Sequence, residues 1–509
     1  MPRRDSLTTE RAIVMAIAAL VIIVRSAIFV FWEQAEFDSD QAVIGLMAKH
    51  LSEGRAFPMF LYGSNYILAV EAWTAAPVFM IAGASVAALK LPLLAINIAV
   101  ALLLIRLLER DAGLRPWLAA VAAAFFVLPP PGTAAQLVNA AGVNLEPFLY
   151  VLLIWMTRHR PGWCGLIVGI GFLQRELTIY APIALLTIGA AGGELLTRDG
   201  WRRVLAAARV AVEVWLVVAV MKAFSSAAGP GTSIADVPAS NNVRNLFERL
   251  CFDAGAAVGG AGSLVTTHWA QLFGLRVQPV IEVAIDSRVD QGVPWTWIAL
   301  AAAMLLALAR VIASLVQNRG LARSHYFPAY LTLVGIITSA AFVLARCGAT
   351  GTMGYVLLSI FAAVGLAAWY LQIERRPALK SAFIVCVAVW ALVAAIGHAR
   401  LWNEYLRNPP VGQKRLLVDH LLQRGVRYGI TDYWNAYYIS FLTNERIIMQ
   451  STGFDRIREY DRIVEAHMDE AVQVLRMPCM TPGGERILQG LYLCPAQPLD
   501  STRGRPASK

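Results

Sequence analysis

The sequence predicts an all-α polytopic membrane protein with about eleven transmembrane helices and a small soluble α/β domain at the C-terminal end. Three observations carry this. Hydrophobic residues fill 58% of 509 positions and charged residues only 15%, against about 45–50% and about 25% in soluble chains. The apolar residues fall in long runs separated by short basic clusters. Beyond residue 398 the composition becomes ordinary, and helical and strand-like patterns alternate. A mean hydropathy of +0.57 over this length exceeds what one buried core absorbs, because soluble cores split near about 250–300 residues. The excess apolar surface therefore faces lipid. A soluble enzyme and a nucleic-acid binder are both excluded.

The net charge of +10 reads as membrane orientation, since the basic residues lie between apolar runs. Six cysteines without a CxxC pair argue against a zinc or iron–sulfur module. The run 12–32 follows Arg3, Arg4 and Arg11. It is too long for a signal-peptide core, and no small-residue cleavage site follows, so it is a span.

In order, the spans fall at 12–31, 90–108, 116–131, 146–157, 163–174, 177–192, 205–222, 295–316, 326–345, 354–373 and 380–398. Residues 41–53 are amphipathic and predict a helix lying in the interface. For segment 66–88, a span or a re-entrant or interfacial segment, charge favours the second. If it is re-entrant or interfacial, the clusters at Arg106 and Arg110, Arg158 and Arg160, Arg202 and Arg203, Arg319 and Arg323, and Arg375 and Arg376 all join the N-terminus inside. If it spans, several of them land outside.

The favoured topology gives a transmembrane domain over 1–398 with outer loops 32–89 and 223–294. An extracytoplasmic α/β domain follows over 399–509, and the N-terminus is cytoplasmic. In that domain the pattern predicts helices at 411–424, 434–442 and 455–474 and strands at 426–430 and 446–449. Cys479 and Cys494 either form a bridge, which an outer compartment permits, or remain two thiols.

Unusual charges gather at the expected outer boundary. The first outer loop opens with Glu36, Phe37, Asp38, Ser39 and Asp40. Carboxylates at i and i+2 can bind a divalent cation, or one can act as a base while the other tunes it. The plainer reading is a helix N-cap at Asp38 or Ser39. Arg25 lies inside the first span, where an unpaired guanidinium is expensive, so it is paired, functional or snorkelling. Arg175 and Glu176 interrupt the run 163–192 as a site pair or a structural ion pair. Arg346 ends the run 326–345, again on the outer side.

Outer-face cations oppose the orientation bias, and binding an anionic group explains them. Glu71, Asn139, Asn144 and Glu146 add polar groups on the same face, with Tyr62 and Asn65 in the first loop. Tyr433, Trp434, Tyr437 and Tyr438 either stack on sugars or form the tail's core. His268 reads as structural.

These residues, in this order, resemble the GT-C membrane glycosyltransferases. The likeness is to the branch of protein O-mannosyltransferases, aminoarabinose transferases and RgtA/B/C/D-like proteins. Asp38 and Asp40 match that branch's acidic first-loop motif, followed by Gly54 and Pro58. Arg25 matches an arginine of the first span. Gly83 and then Leu89, Lys90, Leu91 and Pro92 resemble a Gly-to-Pro segment with a basic residue. Glu146, Pro147 and Phe148 resemble a second acidic site, and Gly169 to Arg175 a glycine-rich turn. The Pro-Pro of the first loop is replaced by Tyr62, Gly63, Ser64, Asn65 and Tyr66. The likeness runs over about residues 20–200 and beyond them is one of topology.

The resemblance implies a bacterial inner-membrane enzyme of the cell envelope. It would use a polyprenyl-phosphate sugar donor and a lipid, glycan or protein acceptor, with inversion at the anomeric carbon. Asp38, Asp40 and Glu146 would then be catalytic and Arg25, Arg175 and Arg346 would hold the donor phosphate. Glu71, Tyr62, Asn65 and Asn144 would line the site. No cofactor is called for with certainty, and a divalent cation at Asp38 and Asp40 is an option rather than a requirement. A transporter or flippase of lipid-linked sugars is the alternative, but it predicts charges spread through the membrane and paired interrupted helices. A non-catalytic scaffold predicts dispensable Asp38 and Asp40.

Overall fold

The computed structural model describes residues 2–64, 67–142, 144–225, 253–274, 294–317, 321–345, 353–479, 484–488 and 490–495. The first half contains α1 (Pro2–Phe31), α2 (Ser39–Ser52), α3 (Val70–Ala82), α4 (Val86–Arg110), α5 (Pro116–Val127), α6 (Pro131–Gln136), α7 (Glu146–Thr157), α8 (Pro161–Gln174), α9 (Tyr180–Ala191) and α10 (Arg198–Ser225). Then come α11 (Ala254–Ser263), α12 (Pro294–Gln317), α13 (Tyr326–Ala345), α14 (Ile360–Ile373) and α15 (Pro377–Arg407).

Among the described residues, six helices are long and apolar enough to cross a membrane: Leu7–Phe31, Val86–Arg110, Arg198–Met221, Ile298–Gln317, Arg323–Leu344 and Pro377–Arg407. The chain is an integral membrane protein. Each expected span coincides with one of these helices or with a shorter apolar one. Three of the short ones carry proline at the start: Pro116, Pro147 and Pro161 occupy the first turns of α5, α7 and α8, where a missing N–H costs nothing. At 13 residues α3 is about 20 Å long, and α5 and α7 have 12 residues each. Length therefore does not separate α3 from its short neighbours.

α1 packs along α4 and α5, α8 against α10, and α13 against α14. The α8–α10 contact depends on glycine, since a Cβ on Gly169 would come within 2.9 Å of the Val214 Cβ.

The tail forms α16 (Gln413–Gln423), β1 (Tyr428–Thr431), α17 (Tyr433–Leu442), β2 (Ile448–Ser451), α18 (Arg458–Ala466), β3 (Val472–Leu475), β4 (Glu485–Leu488) and β5 (Leu491–Pro495). The sheet order is β2-β1-β3-β5-β4. β1 pairs in parallel with β2 and β3, with Tyr428 opposite Ile448 and Gly429 opposite Val472. β3 and β4 pair antiparallel to β5. Helical crossovers α17 and α18 are what parallel neighbours require.

One tail expectation is corrected. Residues 455–474 are not a single helix, for α18 stops at Ala466 and the chain returns to the sheet as β3. Val472 and Val474 fit both periods, and strand pairing decides between them. The disulfide alternative also resolves: Cys479 is bonded to Cys494, with Cα atoms 5.7 Å apart.

A second correction concerns α2. It is buried on both faces, from Gln41 to His50, and does not lie open in an interface. The reason is the tail. Phe441 of α17 sits against Gly45, where a Cβ would come within 2.5 Å of its ring. Phe37 packs on Tyr438 and Phe441, with ring centroids 5.3 and 5.5 Å apart. One apolar cluster runs from the membrane helices through α2 into α17 and β2.

Candidate functional site

The first loop turns sharply after α1. A single helical turn over Glu33–Ala35 precedes Glu36, and α2 starts three residues later. Asp38 caps α2: its Oδ1 accepts a hydrogen bond from the Gln41 N–H at 3.0 Å. Asp40, in the first turn, accepts from the Tyr433 hydroxyl of α17. The N-cap reading and the proximity of the two acids therefore hold together. Burial pushes the Asp38 carboxyl above its usual range.

Lys90 enters the same loop from α4. It is wholly buried and donates to the Phe29 carbonyl at 3.0 Å and to the Glu36 carbonyl. The Glu36 side chain accepts from Gln136 and Asn139, each at 3.2 Å. Burial pushes the Glu36 carboxyl up to about 7, against the pull of Lys90. Gln136 also accepts from the Asn144 amide, through its backbone oxygen at 3.1 Å and its side chain at 3.2 Å. Glu36, Lys90, Gln136, Asn139 and Asn144 thus form one polar network under the acids of α2.

A second acidic group lies beside it. Glu71 accepts from the Gly142 N–H at 2.7 Å, and its carboxyl lies within hydrogen-bond reach of Glu146. Both are buried. Glu146 is the first residue of α7, where the helix dipole favours a carboxylate. Gln174 accepts from the Tyr150 hydroxyl. Next to it Arg175 leaves α8, with its Nε 3.6 Å from Glu176 and its guanidinium 5.0 Å from the Tyr355 ring.

Arg25 is held elsewhere. Its guanidinium donates to the Val127 carbonyl at 2.8 Å, to the Asn97 side chain at 2.9 Å and to the Phe126 carbonyl at 3.4 Å. It thereby closes the exposed carbonyls at the end of α5. None of these partners is shared with Arg175. Arg346 and Asn65 lie outside the described residues.

Tyr62 is buried, its hydroxyl 3.1 Å from His50 Nδ1. This contact leads to a clamp between loop and tail. The Glu445 carboxylate takes Lys49 at 2.5 Å, Arg55 at 2.6 Å, His50 at 3.0 Å and the Tyr460 hydroxyl at 2.9 Å. Burial opposes its charge, yet the contacts from His50, Lys49 and Arg55 hold its carboxyl well below the usual range.

Of the four tail aromatics, Tyr437 and Tyr438 are core, while Trp434 is 48% exposed. His268 is buried against the Phe342 ring, 4.8 Å away.

The structure thus joins Asp38 and Asp40 on α2 and joins Glu71 with Glu146. Sequence reasoning passed over Gln136, named Glu36 and Tyr433 without these contacts, and met Lys90 only through a resemblance. For Lys90 a direct signal existed: a lone cation near the start of an apolar run is costly unless partnered. Among the described residues, no three His, Cys, Asp or Glu side chains converge as metal donors.

No protein-family model and no curated protein matches the chain. Among solved structures, ArnT from Cupriavidus metallidurans bound to undecaprenyl phosphate superposes with a TM-score of 0.55 at 13% identity, over 95% of this chain and 97% of that one. The apo oligosaccharyltransferase of Archaeoglobus fulgidus gives 0.49 at 13% identity, over 91% and 69%. The end-to-end likeness to ArnT shows the architecture: this chain is an integral membrane protein with the GT-C fold.

Proposed function

We propose that the chain is a glycosyltransferase that moves a sugar from a polyprenyl-phosphate donor to an acceptor at the outer face of a bacterial inner membrane. Its branch is that of the aminoarabinose and RgtA/B/C/D-like transferases. The observation that carries this is the buried Lys90 beneath Asp38 and Asp40, which sets a cation and two acids around one loop. The ArnT structure of the same fold holds undecaprenyl phosphate, which supports a lipid-phosphate donor.

In this reading residues 1–398 form the catalytic membrane domain. Residues 399–509 form an extracytoplasmic domain, and the N-terminus is cytoplasmic. Asp38 or Asp40 takes the proton of an acceptor hydroxyl or amine. The freed electron pair forms the new bond to the anomeric carbon, and the bond from that carbon to the phosphate oxygen breaks. The electron pair leaves with the lipid phosphate. Lys90 and Arg175 stabilise the charge that develops there, which electrostatic preorganisation makes effective. Burial raises the basicity of Asp38 and so suits it to the proton transfer. Attack from the face opposite the phosphate inverts the anomeric centre. Glu71 and Glu146 line the acceptor side.

The test is purified protein against a panel of polyprenyl-phosphate sugars, read by thermal shift and by product mass, with and without EDTA. One donor should stabilise the protein and yield a glycosylated product. A panel with no stabilising donor and no product overturns the reading. Full turnover in EDTA removes the divalent cation from Asp38 and Asp40.

A further inference from the structure

A cavity of about 770 Å³ opens among α7, α8, α9 and α10, far from the acids described above. Its mouth is formed by Arg158, Arg203 and Arg323, with Asp111 and Glu194 beside them. Its walls are apolar: Val168, Pro182, Leu185 and Ile188 face Ala207 and Ala211 of α10.

The geometry separates this cavity from the first-loop site. Glu146 opens α7 and Arg158 follows its last turn, so about 18 Å of helix lies between them. Lys90 lies near the start of α4 and Asp111 caps its end, about 31 Å apart along the helix at its usual rise. That is the thickness of the hydrocarbon layer, about 30 Å. The mouth therefore opens at the opposite membrane boundary, where the basic clusters gather.

The slot has depth as well as a mouth. It follows α10 from Gly200 to Ala211, about 16 Å along the axis. Sequence explains the space. Residues 206–208 of α10 are all alanine, and short side chains there leave a gap that α9 does not fill.

The charge at the mouth is unbalanced. Asp111 is already taken by Arg110 at 2.6 Å and by the Trp155 indole at 2.7 Å. Among the described residues neither Arg203 nor Arg323 has an ion-pair partner. Arg158 lies 3.9 Å from Asp111, which leaves Glu194 facing the two guanidinium groups of Arg203 and Arg323. Burial first, and then the neighbouring Arg158, hold the His159 imidazole below its usual range.

We infer that this cavity is a binding site for one anionic membrane phospholipid of the inner leaflet. Its phosphate rests on Arg203 and Arg323, and one acyl chain lies along the alanine face of α10. Cationic rims between transmembrane helices attract anionic headgroups. A water-soluble phosphate would gain the rim but leave the apolar slot unfilled. The site does not rest on the transfer reaction proposed above and stands if that reading fails.

The test uses the full chain, delipidated in detergent, and native mass spectrometry. Phosphatidylglycerol, phosphatidylcholine with the same acyl chains, and inorganic phosphate are titrated separately. Phosphatidylglycerol should bind with a stoichiometry of one, at least about 10-fold more tightly than phosphatidylcholine. The double variant Arg203→Gln, Arg323→Gln should lose that preference. Ala211→Trp fills the slot while keeping the rim, and should lose binding with an unchanged unfolding midpoint in lipid-free detergent. Equal affinity for the two lipids overturns the proposal. So does retention of the preference in the double variant, undiminished binding in Ala211→Trp, or inorganic phosphate competing as well as the lipid.

Discussion

The Tyr433 hydroxyl donates to Asp40 across 393 positions of chain, so the first residue of α17 and an acid of α2 act as one unit. Arg456 donates to the same hydroxyl at 3.4 Å. Tyr433→Phe removes both contacts. Hydrogen bonds to charged groups contribute about 1.5–3 kcal/mol. The variant should unfold at a lower temperature in detergent and lose its tail to limited proteolysis sooner. An unchanged midpoint and digestion pattern contradict the coupling.

Asp38→Asn and Asp40→Asn separate chemistry from folding. Asparagine caps helices as well as aspartate does, so α2 survives the first change. At least one variant should lose turnover by about 100-fold or more, the scale of general-base catalysis. Product formation by mass spectrometry, with the unfolding midpoint as control, checks this. Two variants with wild-type turnover would sink the assignment.

Glu445→Gln tests the clamp. It leaves Lys49 and Arg55 facing an uncharged partner, and breaking one side of a buried ion pair costs about 3–5 kcal/mol. The folded-state carboxyl is depressed from 4.5. Its stabilisation is therefore present above about pH 4.5 and is lost as pH falls further. Wild type should unfold at a higher temperature than the variant at pH 7. The gap should narrow below about pH 4.5, and a gap independent of pH refutes the mechanism.

Glu36 runs the other way. Its carboxyl sits at about 7, where the ordinary value is 4.5. Between those values the folded chain holds a proton that the unfolded chain has released, so stability falls as pH rises and the fall is complete above about 7. Glu36→Gln keeps the oxygen that accepts from Gln136 and Asn139 and removes the titration. From pH 5 to pH 8 the unfolding midpoint of wild type should decline relative to that of the variant. Parallel curves contradict the assignment.

The Cys479–Cys494 bridge closes a separation of 15 residues, worth about 3 kcal/mol in the chain-entropy model. Peptide mapping of unreduced protein should recover the linked pair. Cys479→Ser should lower the tail's resistance to protease. Two free thiols in unreduced material would remove the bridge.

The membrane helices were legible because they are apolar runs separated by basic clusters, and Pro116, Pro147 and Pro161 mark the starts of α5, α7 and α8. The two-sided burial of α2 was not legible. Its pattern Gln41, Ala42, Val43, Ile44, Gly45, Leu46 reads as amphipathic until a second apolar surface is known to cover Gly45. The tail's parallel core was legible from alternating helix and strand. β4 and β5 were not, because their pairing depends on β3 and on the disulfide beside it. In the site, Asp38 and Asp40 stood out by spacing. Glu36 did not, since its partners Gln136 and Asn139 lie about 100 positions away and no local pattern points to them.

The contact of Phe441 with Gly45 sets an order of events during synthesis. The two residues are 396 positions apart, so at about 5–20 residues per second α2 leaves the ribosome roughly 20–80 s before its cover exists. For that interval α2 can pack on α3 and α4, which follow it in the chain, but it lacks the cover that Phe441 provides. The side of α2 around Gly45 therefore gains its final packing only after the chain has been made as far as Phe441.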